Sequence, residues 1–234
     1  MFIYGKNVAK EKINSHEKIN KVYLSDKFND KEIILLIKNN GIKYTIVPNK
    51  VLDNKVDGLH QGIVIEVDDV ETLEFDYIKN IQKNNPLLVM LDHLEDPHNF
   101  GAIIRTCEAA GVDSIIIPKN RSVEVNSTVM KVSVGALDNM KIVEVNNLVD
   151  AIKKLKDNGF WVYGTDMENS EVYTKVEYDE KTALVIGAEG NGISELVRKN
   201  CDFIVNIPMF GKINSLNASV AAGIVIYEVV RQRK

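Results

Sequence analysis

Polar side chains able to bind a ligand are concentrated in three stretches, each of which begins where a run of apolar residues ends. The first reads DHLEDPHNFGAIIR over residues 92–105 and carries Asn99 and Arg105. The second reads GAEGNGI over residues 187–193 and carries Glu189. The third reads IPMFGKINSLN over residues 207–217 and carries Ser215 and Asn217. These five side chains are the first candidates for a functional site.

The first and third stretches each admit a structural as well as a functional interpretation. A DPxN turn that leads into a GxxxR helix is an unusual combination, which favours function over a loop with a capping Asn99 and a surface Arg105. In the third stretch, Pro208 interrupts a strand, and Ser215 is a candidate N-cap of the next helix. Asn217 falls in the first turn of that helix, where the fold gives less reason for a polar side chain than it does at the N-cap.

The second stretch has three glycines in six residues, which allow close backbone approach or positive φ. Its spacing, GxxGxG with no following Lys, matches neither a P-loop nor the dinucleotide-binding pattern GxGxxG. Glu189 disfavours a phosphate and favours a ligand with hydrogen-bond donors or positive charge. S-adenosylmethionine, a sulfonium with ribose hydroxyls, fits that requirement better than a nucleotide phosphate does.

Strands alternate with helices from residue 87 onward, a pattern typical of an α/β domain whose mostly parallel sheet is covered on both faces. Strands are predicted at residues 87–91, 114–117, 142–145, 160–165, 183–187 and 203–207. Helices are predicted at residues 101–110, 148–158, 194–199 and 215–231. In such sheets ligands bind beyond the carboxyl ends of the strands. In this chain many polar residues, beginning with Asp92, follow the end of the predicted strand over residues 87–91.

The first part of the chain has the pattern of a separate, smaller α/β unit. Its clearest element is a helix over residues 30–40, with Asp30 as the N-cap and Gly41 at its end. Residues 69–85 are acidic and weakly periodic, and they end in the breaker cluster KNNP. The sequence therefore predicts a domain over 1–68, a linker over 69–85 and a larger domain over 86–234.

Composition and charge narrow the class of protein. The 234 residues contain no apolar run of the length that a membrane helix needs, and the N-terminus has no signal-peptide pattern. Cys107 and Cys201 are isolated and no HxxxH or CxxC pair occurs, so we expect a cytoplasmic protein without a metal site. Residues 1–60 hold 11 Lys against 7 acidic residues, although the chain as a whole has a net charge of −4. Those Lys residues either bind along the phosphate backbone of a nucleic acid or form a solvated surface.

Together, the three stretches resemble the motifs of the SpoU/TrmH family of RNA ribose 2′-O-methyltransferases, in the SPOUT superfamily. DHLEDPHNFGAIIRTCEAAG is similar to the first motif, LVIGAEGNGIS to the second and IPMFGKINSLNASVAAGIVIYE to the third, in that order. Near the N-terminus, YGKNVAKEKI and GLHQGIVIEV resemble the ribosomal-protein-like substrate-binding domain of the bacterial 23S rRNA guanosine 2′-O-methyltransferases. The resemblance covers nearly the whole chain.

This resemblance implies a C-terminal α/β domain with a deep trefoil knot, a small N-terminal RNA-binding domain, and a homodimer with each site near the dimer interface. It implies that S-adenosylmethionine is bound by a set of mostly backbone positions: Gly187, Gly192, Ile207, Met209 and Leu216. The residues that match catalytic and substrate-positioning residues are Asn99, Arg105, Glu189, Ser215 and Asn217. The implied partner is RNA, with 23S rRNA favoured, and no metal or membrane is involved.

In the implied reaction, a ribose 2′-hydroxyl attacks the methyl group, and its proton must be removed. The family match gives this role to Arg105, yet a guanidinium is effectively always protonated. Either an RNA phosphate takes part in the proton transfer, or Arg105 only binds phosphate and orients the ribose. Three rival functions remain open: a non-catalytic RNA-binding protein, a tRNA ribose methyltransferase, and a resistance methyltransferase acting at another rRNA site.

Overall fold

The computed structural model describes residues 1–15, 18–178, 180–188, 190 and 192–233, which form two compact units, Met1–Val70 and Glu71–Lys234. None of the helices in this described part of the chain has the length and apolar content that crossing a bilayer requires.

The first unit is a four-stranded sheet with three helices. Its elements in chain order are β1 (Phe2–Tyr4), α1 (Lys6–Asn14), β2 (Lys21–Ser25), α2 (Lys31–Asn39), β3 (Tyr44–Val47), α3 (Asn49–Asp53) and β4 (Ile63–Glu66). The strand order is β1-β4-β2-β3, with β2 and β3 parallel and β4 antiparallel to both of its neighbours. The Asp30 side chain accepts a hydrogen bond from the Ile33 N–H, which confirms it as the N-cap of α2.

The second unit contains the remaining elements. They are α4 (Asp76–Lys79), β5 (Leu87–Asp92), α5 (Pro97–Ala110), β6 (Ser114–Pro118), α6 (Ser127–Ser133), α7 (Ala136–Asn139), β7 (Ile142–Val145), α8 (Leu148–Asp157), β8 (Trp161–Thr165), β9 (Glu171–Val172), β10 (Thr182–Gly187), α9 (Glu195–Asn200), β11 (Phe203–Asn206) and α10 (Ala218–Gln232).

Seven strands form one sheet in the order β7-β6-β5-β10-β8-β11-β9, and all of its pairings are parallel. The fold class predicted from the strand–helix alternation is confirmed. Strands β5 and β10 lie at the centre and every one of their residues is buried, which explains why both read as nearly continuous apolar runs. Their register pairs Gly187 with Asp92, so the first and second polar stretches begin side by side.

Residues 71–85, which the sequence suggested as a linker, belong to the second unit. Phe75 and Ile78 are buried in the core beneath α8, and Leu73 forms a parallel bridge with Val143 of β7. The segment carries enough apolar surface to be held against the sheet, although its overall composition is polar.

Two helices begin elsewhere than the sequence predicted. Helix α5 starts at Pro97, because the Asp96 carboxylate caps it by accepting from the His98 N–H at 2.9 Å. Asn99 therefore lies inside the helix and is not its cap. Helix α10 starts at Ala218 and is capped by Asn217, so the prediction that Ser215 is its N-cap was wrong.

Neither cysteine is a candidate nucleophile. Burial raises the pKa of both thiols, that of Cys201 to about 12, and the thiolate is the reactive form. The two residues act as small apolar side chains, as their isolation in the sequence predicted.

Candidate active site

A cavity of about 530 Å³ lies at the carboxyl ends of β8, β10 and β11. Its volume falls within the roughly 300–1,000 Å³ range of small-molecule sites. The lining includes every residue predicted to contact the cofactor: Gly187, Gly192, Ile207, Met209 and Leu216. Ser215 also lines this cavity. The second and third polar stretches are thus brought together, while the role of each residue as a ligand contact remains a prediction.

Gly187 and Gly192 both favour glycine, the first because the backbone approaches too closely for a side chain and the second because of its backbone conformation. A Cβ on Gly187 would lie 2.1 Å from the carbonyl carbon of Gly192. Gly192 has a φ of +63°, and a Cβ there would lie 3.2 Å from Oδ2 of Asp166. Ala188 and Gly192 form an antiparallel bridge, so the loop after β10 folds back on itself. The glycine spacing in the sequence is therefore a steric requirement of this wall.

Charged side chains at the rim give the cavity an acidic character. Asp166, Glu168 and Glu195 contribute carboxylates, against a single guanidinium from Arg198. Arg198 donates to the backbone oxygen of Glu168 at 2.8 Å and forms an ion pair with its carboxylate at 3.2 Å. Glu189, the predicted acidic residue of the glycine loop, lies outside the described residues.

The donor set of this cavity fits S-adenosylmethionine. Ile207, Met209 and Leu216 offer apolar contact for a flat base, and the loop around Gly187 permits the close backbone approach that a ligand needs. The Asp166 carboxylate suits ribose hydroxyls and positive charge, whereas that of Glu195 is already paired with Lys199 at 2.6 Å. Within the described chain there is no cluster of three or more His, Cys, Asp or Glu suited to a metal ion.

A second cavity of about 440 Å³ adjoins the first, since Ala188 and Gly192 line both. Its other walls are Ser194, the end of β5 at Asp92, the loop that follows with His93, and Asn99 in the first turn of α5. Asp92 is only 1% exposed, and its Oδ2 accepts from the Ser194 N–H at 2.6 Å. The carboxyl end of the central strand is thereby fixed to the chain that follows the glycine loop.

One hydrogen bond joins the first and third polar stretches. The Nδ2 of Asn217 donates to Oδ1 of Asn99 at 2.8 Å, and Asn99 is only 5% exposed. The Oδ1 of Asn217 accepts from the N–H groups of Ser219 and Val220, at 3.0 and 3.4 Å. Asn217 therefore has the structural role that its sequence position did not suggest: it caps α10 and holds Asn99 at the same time.

Arg105 is not brought to this site within one chain. It lies six residues after Asn99 on α5, which rotates it by about 120° around the helix axis and moves it about 9 Å along it. Its side chain is exposed and lines neither cavity. Among the described residues the guanidinium has no hydrogen-bond or ion-pair partner, so it is available to an external group.

His93, which the sequence analysis did not single out, also lines the second cavity. Its Nδ1 lies 2.5 Å from Oδ1 of Asp92, and it lines the second cavity beside Asn99. The available signal was a histidine immediately after an aspartate at the end of an all-apolar strand.

We expect Gly187→Ala to lower the free energy of unfolding by on the order of 1–3 kcal/mol, because the added Cβ overlaps the backbone of Gly192. Gly211→Ala is the matched control, since its Cβ would meet nothing nearer than 4.0 Å. Chemical denaturation of both variants measures the difference. Equal unfolding midpoints would contradict the close approach.

The two roles of Asn217 are separable by substitution. Asn217→Ala removes both, and loss of the cap alone costs roughly 0.5–2 kcal/mol of unfolding free energy. Asn217→Ser retains a capping oxygen but is too short to reach Asn99, so we expect an intermediate stability. Denaturation curves of the two variants and the natural protein test this. A Ser variant no more stable than the Ala variant would show that the cap contributes little.

Family models match both units of the chain. The SpoU rRNA Methylase family matches residues 86–227, and the RNA 2′-O ribose methyltransferase substrate binding family matches residues 2–73. A Staphylococcus saprophyticus protein named for the TrmH family of tRNA/rRNA methyltransferases is 44% identical over 99% of this chain and 95% of its own. A Bacillus subtilis protein of the same designation, YacO, is 42% identical over 99% of this chain and 96% of its own.

Solved structures show the same fold. The SpoU methyltransferase AviRb from Streptomyces viridochromogenes, solved with the cofactor AdoMet, covers 100% of this chain and 90% of its own at 23% identity, with a TM-score of 0.76. The A. aeolicus TrmH/SpoU tRNA modifying enzyme covers 68% of this chain and 82% of its own at 32% identity, with a TM-score of 0.59. With both units matched and relatives of similar length above 40% identity, the chain belongs to the SpoU rRNA methylase family of RNA methyltransferases.

Proposed function

We propose that this protein transfers a methyl group from S-adenosylmethionine to a ribose 2′-hydroxyl of RNA, and that its substrate is a guanosine of 23S ribosomal RNA. The observation that carries the proposal is the hydrogen bond between Asn99, which lines the second cavity, and Asn217, whose chain neighbours Leu216 and Ala218 line the cofactor cavity. The methyl donor and the RNA ribose that accepts the methyl group can then occupy the two adjoining cavities, with Ala188 and Gly192 between them.

The first cavity holds the cofactor through Gly187, Gly192, Ile207, Met209 and Leu216. Bound S-adenosylmethionine supplies an electrophilic methyl group on a positively charged sulfur. Asp166 attracts that positive charge, and the apolar wall excludes water from the base. By its match to the family motif, Glu189 contributes a further carboxylate. Ser215 lines the cavity and contacts the donor or the ribose.

The second cavity receives the ribose of the target nucleotide. Asn99 orients the hydroxyl, and Asn217 fixes the rotation of the Asn99 amide by donating to its oxygen. Holding the reacting oxygen in one orientation supplies rate by positioning. The positions of both amides are fixed, because Asn99 lies in α5 and Asn217 caps α10.

Arg105 binds a phosphate of the RNA from the exposed side of α5. A bidentate guanidinium recognises phosphate geometry well and needs no change of protonation to do so. We further propose a homodimer that covers this region. Helix α10 packs on α5, where Gly223 lies near Thr106, and it exposes Val220 and Tyr227 by 50% and 49%. A second copy that covers these apolar side chains would bring Arg105 close to an interface.

A trefoil knot formed by the C-terminal segment remains part of this proposal. The loop after β10 folds tightly on itself at Gly187, and α10 packs against both β10 and α5. The knot itself rests on the family resemblance of the motifs that form this region.

Ribosomal RNA is favoured over tRNA because the substrate-binding model matches residues 2–73, and the part of this region up to residue 60 holds 11 Lys against 7 acidic residues. The tRNA-modifying structure with 32% identity covers only 68% of this chain. Relatives of full length are named for both tRNA and rRNA, so tRNA is the second candidate.

The substrate is tested with labelled S-adenosylmethionine and RNA from a strain that lacks this protein. We expect label in 23S rRNA as an alkali-resistant dinucleotide, and none in RNA from the parent strain, where the site is already methylated. Label in tRNA alone would select the second candidate. Failure to label either RNA, together with no calorimetric binding of S-adenosylmethionine, would contradict the enzymatic proposal.

Replacement of Arg105 by Lys separates phosphate binding from a specific role in turnover. Lys keeps the charge but not the planar fork, so we expect near-normal RNA affinity and a turnover lowered by up to about a hundredfold through misplacement of the ribose. Arg121→Lys is the matched control, since Arg121 is also exposed and lines neither cavity. Equal loss of affinity and turnover would leave Arg105 with a binding role alone.

A further inference from the structure

Strand β3 of the first unit has one edge that no other strand of its sheet covers. It is the last strand in the order β1-β4-β2-β3 and pairs with β2 alone. The N–H of Val22 donates to the carbonyl oxygen of Lys43 at 2.9 Å, so the polar backbone groups of Lys43 point toward β2. Successive residues of a strand point these groups to opposite sides. The N–H and C=O groups of Tyr44 and Ile46 therefore point to the open edge.

The side chains of this edge are accessible as well. In the register of the two strands, Tyr44 lies opposite Val22. Ile46 lies opposite Leu24, two residues further along, so all these side chains point to one face of the sheet. Both residues of β2 are buried, whereas Tyr44 and Ile46 are 38% and 63% exposed. The layer that covers this face over β2 therefore ends before β3 and leaves an aromatic ring accessible.

Ion pairs and aromatic rings already occupy several lysines of the first unit. Those that pair with a carboxylate are Lys6, Lys10 and Lys18, at 3.1, 2.5 and 2.7 Å. Those that lie over the ring of Tyr23 are Lys21 and Lys55. A phosphate group would have to compete with these contacts.

Three exposed lysines around β3 have no such contact within the described part of the chain. Lys38 lies in the last turn of α2, Lys43 directly precedes β3, and Lys50 lies in the first turn of α3. Residues 33–52 contain no acidic residue. Asp26, whose N–H bonds to the last residue of β3, adds one negative charge against these three positive ones. The surface around β3 is therefore locally positive.

Two explanations of these lysines differ in what they leave unexplained. Lysines near an open edge can prevent a strand of another molecule from pairing with it. That explanation accounts for the charges but gives no reason for an accessible Tyr44 within the strand. An unpaired RNA base offers a flat face for stacking, donors and acceptors along its edge, and phosphates on either side. An aromatic ring, open backbone groups and flanking cations match all three features.

We propose that the open edge of β3 binds a single-stranded segment of the RNA substrate; the proposal rests on the RNA methylation proposed above and adds a contact outside the two cavities. Tyr44 stacks on an unpaired base. The open backbone groups of Tyr44 and Ile46 bind the edge of that base. The flanking phosphates are bound by Lys38, Lys43 and Lys50. Such a surface selects a loop or bulge of folded RNA over a continuous duplex.

The closing experiment measures RNA binding to the full-length protein by fluorescence anisotropy at several salt concentrations. The probes are a labelled oligouridine and the same strand in a duplex with oligoadenosine. Lys43→Gln with Lys50→Gln is the test variant, and Lys10→Gln with Lys18→Gln is the control that loses the same charge from ion-paired lysines. We expect the test variant to reduce the salt dependence of log affinity for the single strand by about 1.4, because each lost phosphate contact contributes about 0.7. The control should keep the natural slope.

Replacement of Tyr44 tests stacking separately from charge. Tyr44→Ala should weaken binding of the single strand by about 5- to 150-fold, the range expected for one stacked base, with an unchanged salt slope. Tyr44→Phe keeps the ring and should bind nearly as the natural protein does. The duplex has no unpaired base, so its affinity should be the same for all three proteins. Circular dichroism checks that the variants fold, as expected for an exposed side chain.

The outcomes separate this surface from the proposed function. Calorimetry with S-adenosylmethionine and methylation of 23S rRNA are measured for the natural protein. If it binds the cofactor and methylates RNA, but the variants keep its RNA affinity and salt slope, the surface is refuted and the function stands. Variants that aggregate more readily with unchanged RNA affinity would also refute the surface, since the lysines would then only protect the edge.

Two further results are decisive. An equal change of slope in both double variants would show that total charge sets the affinity, which refutes a surface at β3. If the natural protein methylates no RNA, the proposed function fails, yet a preference for the single strand that depends on Tyr44 would still support the surface.

Discussion

The contact between the backbones of Gly187 and Gly192 is the constraint on which the rest of the site depends. With a Cβ position only 2.1 Å from a carbonyl carbon, the chain at the end of β10 can fold back only where Gly187 lacks a side chain, and the φ of +63° at Gly192 favours glycine there as well. That fold brings Ser194 to the buried carboxylate of Asp92 and opens one cavity on each side of Ala188. The residues after β11 then close the first cavity, and the start of α5 closes the second.

Much of this arrangement was predictable because it rests on local patterns. The central strands are apolar throughout, and parallel strands place their carboxyl ends at one edge, so polar stretches that follow them converge there. The three glycines of residues 187–192 correctly predicted either a close backbone approach or a positive φ, since these are the conditions that require glycine. The sequence could not show which atoms these glycines contact. The contact of Gly187 with Gly192, and that of Gly192 with Asp166, depend on how separate segments pack together.

The predictions that failed concern choices among chemically equivalent groups. Ser215 and Asn217 both carry an oxygen that can cap a helix, and tertiary packing selected Asn217 because its amide also reaches Asn99. Asp96 was the better cap for α5 for a reason visible in the sequence, since Pro97 after it suits the first helical position. The site role of Arg105 stays a prediction, and its separation from Asn99 was visible in the sequence, because six residues in a helix place two side chains on different faces. The knot has no signature in propensity or periodicity, and only resemblance suggests it.

The distribution of charge agrees with a division of tasks between the two units. The first unit holds 11 Lys against 10 acidic residues, a net +1, and the second unit carries −5, which gives the total of −4. An acidic second unit is a poor general surface for a phosphate backbone, but its cavity suits a ligand with positive charge, as the carboxylate of Asp166 indicates. RNA binding must then depend on the Lys residues of the first unit and on isolated cations such as Arg105. Because attraction to phosphate weakens steeply with salt while binding in a partly enclosed cavity does not, affinity for RNA and affinity for the cofactor should respond differently to ionic strength. That difference follows from where the charges lie, and it holds whichever RNA is the substrate.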